Sequence, residues 1–199
     1  MKAAKKFIVY IAASALFAAC GSDKQAPQKL DATTKAYFEV QNGSIYVFTE
    51  TGDTSISTVY TSENYINTQA NPDIENNEIM TYSLVSAGKA TYSIRCESGG
   101  AQFKDRIALI TQQNDSTIIG PVVFNSGGNF STGVNNTIDS AVYYPTYTIN
   151  GRVFNDVVRV KPKTNIKYIE VFYAKNIGLI ARKEKNNKFY YLKRERINK

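Results

Sequence analysis

The chain has no histidine and no tryptophan, and its two cysteines are Cys20 and Cys96. Without an imidazole there is no His-based acid–base catalysis, no Ser-His-Asp or Cys-His nucleophile system and no ordinary zinc site. Nor does the sequence carry a GxSxG elbow, a phosphate-cradling glycine loop or a CxxC pair. Four groups can still do chemistry: the Cys96 thiol, the acidic residues Asp73, Glu75 and Glu78, the tyrosines Tyr143, Tyr144 and Tyr147 around Pro145, and the stretch "YIEVFYAKNIGLIARKEKNNKFYYLKRERINK" at 168–199. Carboxylate-based glycoside chemistry is the one reaction class that survives. It needs two carboxyls about 5 to 9.5 Å apart in a cleft, and the sequence nominates no pair. The expectation is a non-enzymatic protein with no cofactor and no metal.

Each group has a plain reading beside a functional one. In "KATYSIRCES" (89–98), Ala90, Tyr92, Ile94 and Cys96 share one side of a period-two pattern, which predicts a half-buried strand and an inert core thiol rather than a reactive one. Asp73, Glu75 and Glu78 lack the spacing and the glycine of a calcium loop, so a solvated acidic loop is expected. Tyr143, Tyr144 and Tyr147 can stack on a glycan or peptide, or can be ordinary half-buried strand tyrosines. Lys193, Arg194, Arg196 and Lys199 can touch lipid phosphates or lipopolysaccharide, or can be a solvated run that protects a sheet edge. The candidate binding surface is therefore Tyr143, Tyr144, Tyr147, Lys193, Arg194 and Arg196.

The elements that must position these residues read as strands. "GSIYVFTETG", "SISTVYTS", "EIMTYSLVS" and "YPTYTINGRVFNDVVRVKPK" are rich in Tyr, Val, Ile, Thr and Phe, and are broken by Asn-Gly, Thr-Gly-Asp, Ala-Gly and Pro turns. Residues 61–69 are one weak helical candidate, capped by Ser62. Residues 69–77 and 125–136 read as loops. "KYIEVFYAK" (167–175) is apolar on both sides and predicts a central strand. Residues 177–184 and 188–196 flank Asn186-Asn187, which suit a tight hairpin. Gly178 inside a strand suggests a bulge or a close backbone approach. The expectation is an all-β antiparallel protein of eight to twelve strands, a curved sheet (half-barrel or sandwich) with at most one or two short helices.

The N-terminus gives the most specific signal. "MKAAKKFIVYIAASALFAAC" has Lys2, Lys5 and Lys6, an apolar run from Phe7 to Phe17, and Ala18-Ala19 before Cys20. That is a secretory signal, with an apolar run too short to span a bilayer. With cysteine directly after the small residues it resembles the lipobox of bacterial lipoproteins, departing from it at Phe17, where the family usually has Leu. The resemblance implies that Cys20 becomes the first mature residue and carries the lipid; two or three acyl chains hold stably where one does not. Gly21 stands where an inner-membrane retention Asp would stand, which by resemblance implies the outer membrane, with the domain facing the periplasm or the surface. Residues 1–19 are thus read as signal, 20–34 as a flexible tether and 35–199 as a single β domain. With Cys20 lipidated, Cys96 has no disulfide partner.

The net charge of +7 is unevenly placed. Residues 1–19 hold three lysines and no acid, and residues 182–199 hold eight Lys/Arg against Glu184 and Glu195. The remainder, 20–181, holds thirteen Lys/Arg against fifteen Asp/Glu and is near neutral. Nucleic acid is no expected partner for a chain outside the cytoplasm.

Residues Gly151, Phe154, Asp156 and Val157, followed by Tyr173, Ala174, Lys175, Gly178 and Leu179, resemble a C-terminal signature of uncharacterised bacterial secreted proteins and lipoproteins. The pattern runs Gly-x-x-Phe-x-Asp-Val, then Tyr-Ala-Lys-Gly-x-Gly-Leu-x-Lys, with Asn176 standing here for its first Gly; Asn also tolerates positive φ. The resemblance implies a half-barrel sheet, loosely like lipoprotein-carrier domains, and transfers no catalytic residue. The functional expectation is an outer-membrane lipoprotein, anchored through Cys20, that binds an envelope protein, glycan or lipid or serves an envelope structure. The alternative is a carrier or sensor of an apolar ligand held in the concavity of the sheet. A carrier needs an unfilled apolar cavity of at least about 300 Å³.

Overall fold

The computed structural model describes residues 28–52, 57–71, 74–87, 89–98, 105–110, 122–124, 130–132, 138–162 and 168–198. Residues 1–27, which hold the segment read as a signal, Cys20 and the first part of the stretch read as a tether, lie outside the described residues, as does Asp73. Among the described residues no helix is long and apolar enough to cross a membrane.

One short helix, α1 (Ala32–Phe38), precedes twelve strands: β1 (Ile45–Glu50), β2 (Ser57–Asn71), β3 (Ile74–Ser86), β4 (Lys89–Glu97), β5 (Arg106–Ile110), β6 (Val122–Phe124), β7 (Phe130–Thr132), β8 (Ile138–Ile149), β9 (Arg152–Pro162), β10 (Tyr168–Ala174), β11 (Gly178–Glu184) and β12 (Phe189–Arg196). Ten of them form one antiparallel sheet in the order β5-β4-β3-β2-β1-β12-β11-β10-β9-β8. The sheet curls into a half-barrel, as the strand-rich sequence implies. Among the described residues β6 and β7 pair with each other alone, with β6 within 8 Å of β5 and β7 within 8 Å of β8, the two edge strands of the sheet.

The sheet corrects three local expectations. Residues 61–69 are not helical but the middle of β2, paired with β3 from Thr61↔Val85 to Asn71↔Ile74. Tyr65, Ile66 and the threonines suit a pleated surface better than a helix. Of the loop expected over 69–77, residues 69–71 and 74–77 are strand, as are residues 130–132 of the loop expected over 125–136. Finally, the tether does not extend to residue 34. Gln28 bridges Asn77, its carbonyl accepting from Glu78 N (2.9 Å) and Ser98 Oγ (2.9 Å). Leu30 is buried, its amide donates to Glu78 Oε2 (2.8 Å), and Asp31 N donates to Asp105 Oδ2 (2.7 Å). Asp31 then caps α1 by accepting from Thr33 N (2.7 Å), as a short acidic side chain does at a helix start.

Glu78 therefore does not stand in a solvated acidic loop. It is 8% exposed in β3, and Lys35 Nζ from α1 donates to its Oε1 at 2.7 Å. Burial alone would raise its carboxyl pKa, but the hydrogen bonds from Lys35 and the Leu30 amide outweigh burial and hold it below the usual value. Among the described residues no cluster of metal-ligating side chains occurs.

α1 covers the inner face of the curl. Phe38 packs edge-on against Tyr173 (5.1 Å between centroids), and Asn176 N donates to Ala36 O (2.6 Å). Around them the inner face is filled by Tyr46, Phe48, Tyr60, Tyr82, Tyr92 and Tyr168, all nearly inaccessible. Two hydroxyls of this core have partners, Tyr92 donating to Tyr173 (2.5 Å) and Tyr46 to Ile177 O (2.6 Å), whereas the buried Tyr82 hydroxyl has none. Cys96 is fully buried among them, and burial, then the nearby Asp105, pushes its thiol well up.

The C-terminal third has the hairpin and the special glycine read from the sequence. Asn187 adopts φ 64°, with Glu184 N accepted by Lys188 O and Asn187 N by Glu184 O, both at 2.9 Å. Gly178 adopts φ 90°, and a β-carbon there would sit 3.4 Å from both Tyr82 Oη and Val40 Cγ2. Asn176 adopts φ 62°. The β10–β11 ladder shifts register between Phe172 and Tyr173, a bulge beside that turn.

Candidate binding groove on the outer face

Successive strand residues point to opposite faces. Tyr173 meets α1 on the inner face, so Phe172 stands on the outer one. There it anchors a chain of ring contacts: Tyr144 to Tyr147 (4.8 Å), Tyr147 to Phe172 (5.4 Å), Phe172 to Phe189 (6.1 Å) and Phe189 to Tyr191 (6.5 Å). The row crosses β8, β10 and β12. Phe172 is 2% exposed, whereas Tyr147, Phe189 and Tyr191 are half-buried and offer ring surface to solvent.

The β8–β9 hairpin is what brings Tyr147 there. β8 is an edge strand, the place where Pro145 can sit without leaving a ladder bond unmade. Opposite Pro145 stands Asp156 at φ 50°. The far half of the hairpin continues beyond the end of β10 and folds across to β12. Asn150 Nδ2 donates to Tyr191 Oη (2.8 Å), and Arg152 forms a bidentate pair with Glu195.

Between Tyr147, Phe172 and Phe189 lies an open groove of about 520 Å³. Its polar lining comes from Glu50, Glu170, Lys183, Asn186, Asn187 and Lys188. Arg159 binds Glu170 at 2.7 Å and places its guanidinium 5.9 Å from the Phe172 centroid, while Lys161 stands 3.6 Å from Glu170. Lys188 pairs with Glu50 at 3.1 Å, and that hydrogen bond raises its ammonium pKa. Two carboxylates and two ammoniums thus line the groove without a dominant sign. Each carboxylate is tied to a cation, and its remaining lone pairs are free to accept further hydrogen bonds.

The structure divides the six surface residues read from the sequence. Tyr144 and Tyr147 stand together, Tyr147 in the groove wall. Tyr143 faces the other way and donates to Asp156 Oδ1 (2.5 Å), which raises its phenol pKa. Lys193, Arg194 and Arg196 are exposed on β12, with Arg194 and Arg196 opposite Val47 and Ile45, about 17 Å and about 23 Å along the strand from Phe189. β12 pairs with β1 as far as Arg196, whereas its ladder with β11 spans Phe189–Tyr191, so Lys193, Arg194 and Arg196 lie where β12 is paired on the β1 side. The sequence reading missed Phe172, Phe189, Glu50 and Glu170. Phe172 and Phe189 belong to the aromatic 168–199 stretch, but only the fold aligns them with Tyr147.

No family model matches the chain, and no curated protein does. Among solved structures it is similar to a DUF1329 family protein from Desulfovibrio piger, at 9% sequence identity and a TM-score of 0.27, over 79% of this chain and 77% of that one. A likeness at that level carries neither a family nor a function.

Proposed function

We propose that this chain is a non-enzymatic lipoprotein of the outer membrane, anchored through Cys20, that binds a saccharide of the cell envelope in its outer-face groove. The anchor rests on the signal segment and the lipobox resemblance. The ligand class rests on one observation: aromatic ring surface from Tyr147 and Phe189, rimmed by carboxylate, ammonium and amide groups of balanced charge. Ring faces stack on the C–H faces of a sugar, and the rim groups can pair with its hydroxyls. A strongly charged ligand would meet as many like charges as opposite ones. The carrier reading has less behind it, because Tyr46, Phe48, Tyr82, Tyr92 and Tyr168 fill the inner face that an apolar cargo would need.

Isothermal titration with soluble peptidoglycan fragments and with lipopolysaccharide core oligosaccharide tests the reading. Wild type is expected to bind one of them saturably, with Phe189→Ala losing most of the affinity at unchanged melting temperature. Equal affinity in wild type and Phe189→Ala, or no binding to either preparation, would count against it.

A further inference from the structure

A second feature lies on the opposite face of the sheet. Arg182 is 5% exposed, with its guanidinium enclosed by four rings: Tyr190 at 4.8 Å, Phe48 at 5.5 Å, Tyr60 at 5.6 Å and Tyr168 at 6.0 Å from the centroids. A guanidinium carries five N–H donors. Here Nη2 donates to Tyr60 Oη (3.1 Å), while Nε and Nη1 are buried without a hydrogen-bond partner. Glu184 stands nearby, but its Oε1 is 3.8 Å from Nε, beyond hydrogen-bond reach. The rings stabilise the positive charge by cation–π attraction without accepting in-plane N–H bonds. A buried cation with unmet donors is costly, and native proteins resolve such a group with a bound ion, water or ligand.

We propose that Arg182 and its aromatic cage form an oxyanion site, taking a carboxylate or phosphate group whose oxygens accept from Nη1 and Nε. Three cage rings are buried, and Tyr190 is half-buried, so the ligand approaches past Tyr190. Glu184, two residues along β11 and on the same face, competes with the ligand for the guanidinium. That competition gives the site a distinctive sign: removing the Glu184 charge strengthens oxyanion binding, whereas a merely structural Arg182–Glu184 pair would gain nothing from its loss. The site touches the outer-face groove through Glu50, which lines the groove and bonds Tyr190, but its ligand contacts are Arg182's own, so the probes below test it separately from the saccharide reading.

The test follows melting of the whole lipidated protein in detergent while titrating three probes at constant ionic strength: inorganic phosphate, acetate and dihexanoyl phosphatidylglycerol. Wild type is expected to rise saturably with at least one probe, and Glu184→Gln to respond at several-fold lower concentration. Arg182→Gln is expected to lose the response. A response to phosphate or acetate identifies a free oxyanion as sufficient; a response to the lipid alone identifies a headgroup with its tail. Two results would each overturn the proposal: no saturable response in wild type to any probe, or a Glu184→Gln response no stronger than wild type. The second holds even where Arg182→Gln fails to fold.

Discussion

Gly178 shows how much one position can carry. Its φ of 90° is a conformation that side-chain-bearing residues rarely adopt, and a β-carbon would press on Tyr82 and Val40. Gly178→Val is therefore expected to cost on the order of 1–3 kcal/mol, while Lys193→Ala, exposed on β12, stays within about 0.5 kcal/mol. Thermal melts of the two variants check the order; a Gly178→Val protein melting like wild type would contradict the close approach. Cys96, fully buried with its thiol pKa pushed up, is expected to ignore a charged maleimide in the native state and to react on denaturation. Both positions were legible in the sequence, Gly178 as a glycine breaking a strand and Cys96 through its shared face with Tyr92 and Ile94. Arg182 was not. The sequence marks its stretch only as a hairpin strand, and what surrounds it comes from β1, β2, β10 and β12, far apart in the chain.

Among the elements, the strap 28–31 and α1 are the least expected. Nothing periodic marks Gln28–Leu30, and the segment is ordered because backbone groups on it meet Glu78, Ser98 and Asp105 from distant strands. Glu78 is the centre of that latch. Its carboxyl pKa is lowered in the folded protein, so its contribution is present above the unfolded value of about 4.3 and is lost as the pH falls through the folded value. Glu78→Gln keeps the shape but gives up the charge-assisted bond to Lys35. It is expected to cost about 1–3 kcal/mol at neutral pH, and the gap to wild type should close as the pH drops below about 4. Melting temperature against pH for both proteins reads this directly; a gap that persists unchanged into acid would mean the latch does not depend on the Glu78 charge. The strand elements, by contrast, were largely visible as aromatic and β-branched runs between turn residues. The weak helical reading of 61–69 failed because one capping serine counts for little against the continuous pairing of β2 with β3.

At the scale of the whole molecule, α1 and the buried tyrosines cover the inner face of the half-barrel, and the groove lies on the outer one. The sequence implied the curved sheet but not which tyrosines would converge, because the fold of the β8–β9 hairpin over β12 decides that. A lipid at Cys20 would hold the chain at the membrane. Cys20→Ser is accordingly expected to move the protein into the soluble periplasmic fraction, and firm retention of the variant after a carbonate wash would count against the anchor. The central claim is that the outer groove holds an envelope saccharide. It is tested most directly by native mass spectrometry of protein taken from its own membrane, wild type beside a Tyr147→Ala/Phe189→Ala double variant. The account predicts a saccharide mass on wild type that is absent from the double variant. The same adduct on both proteins, or a wild type carrying no saccharide, would contradict it.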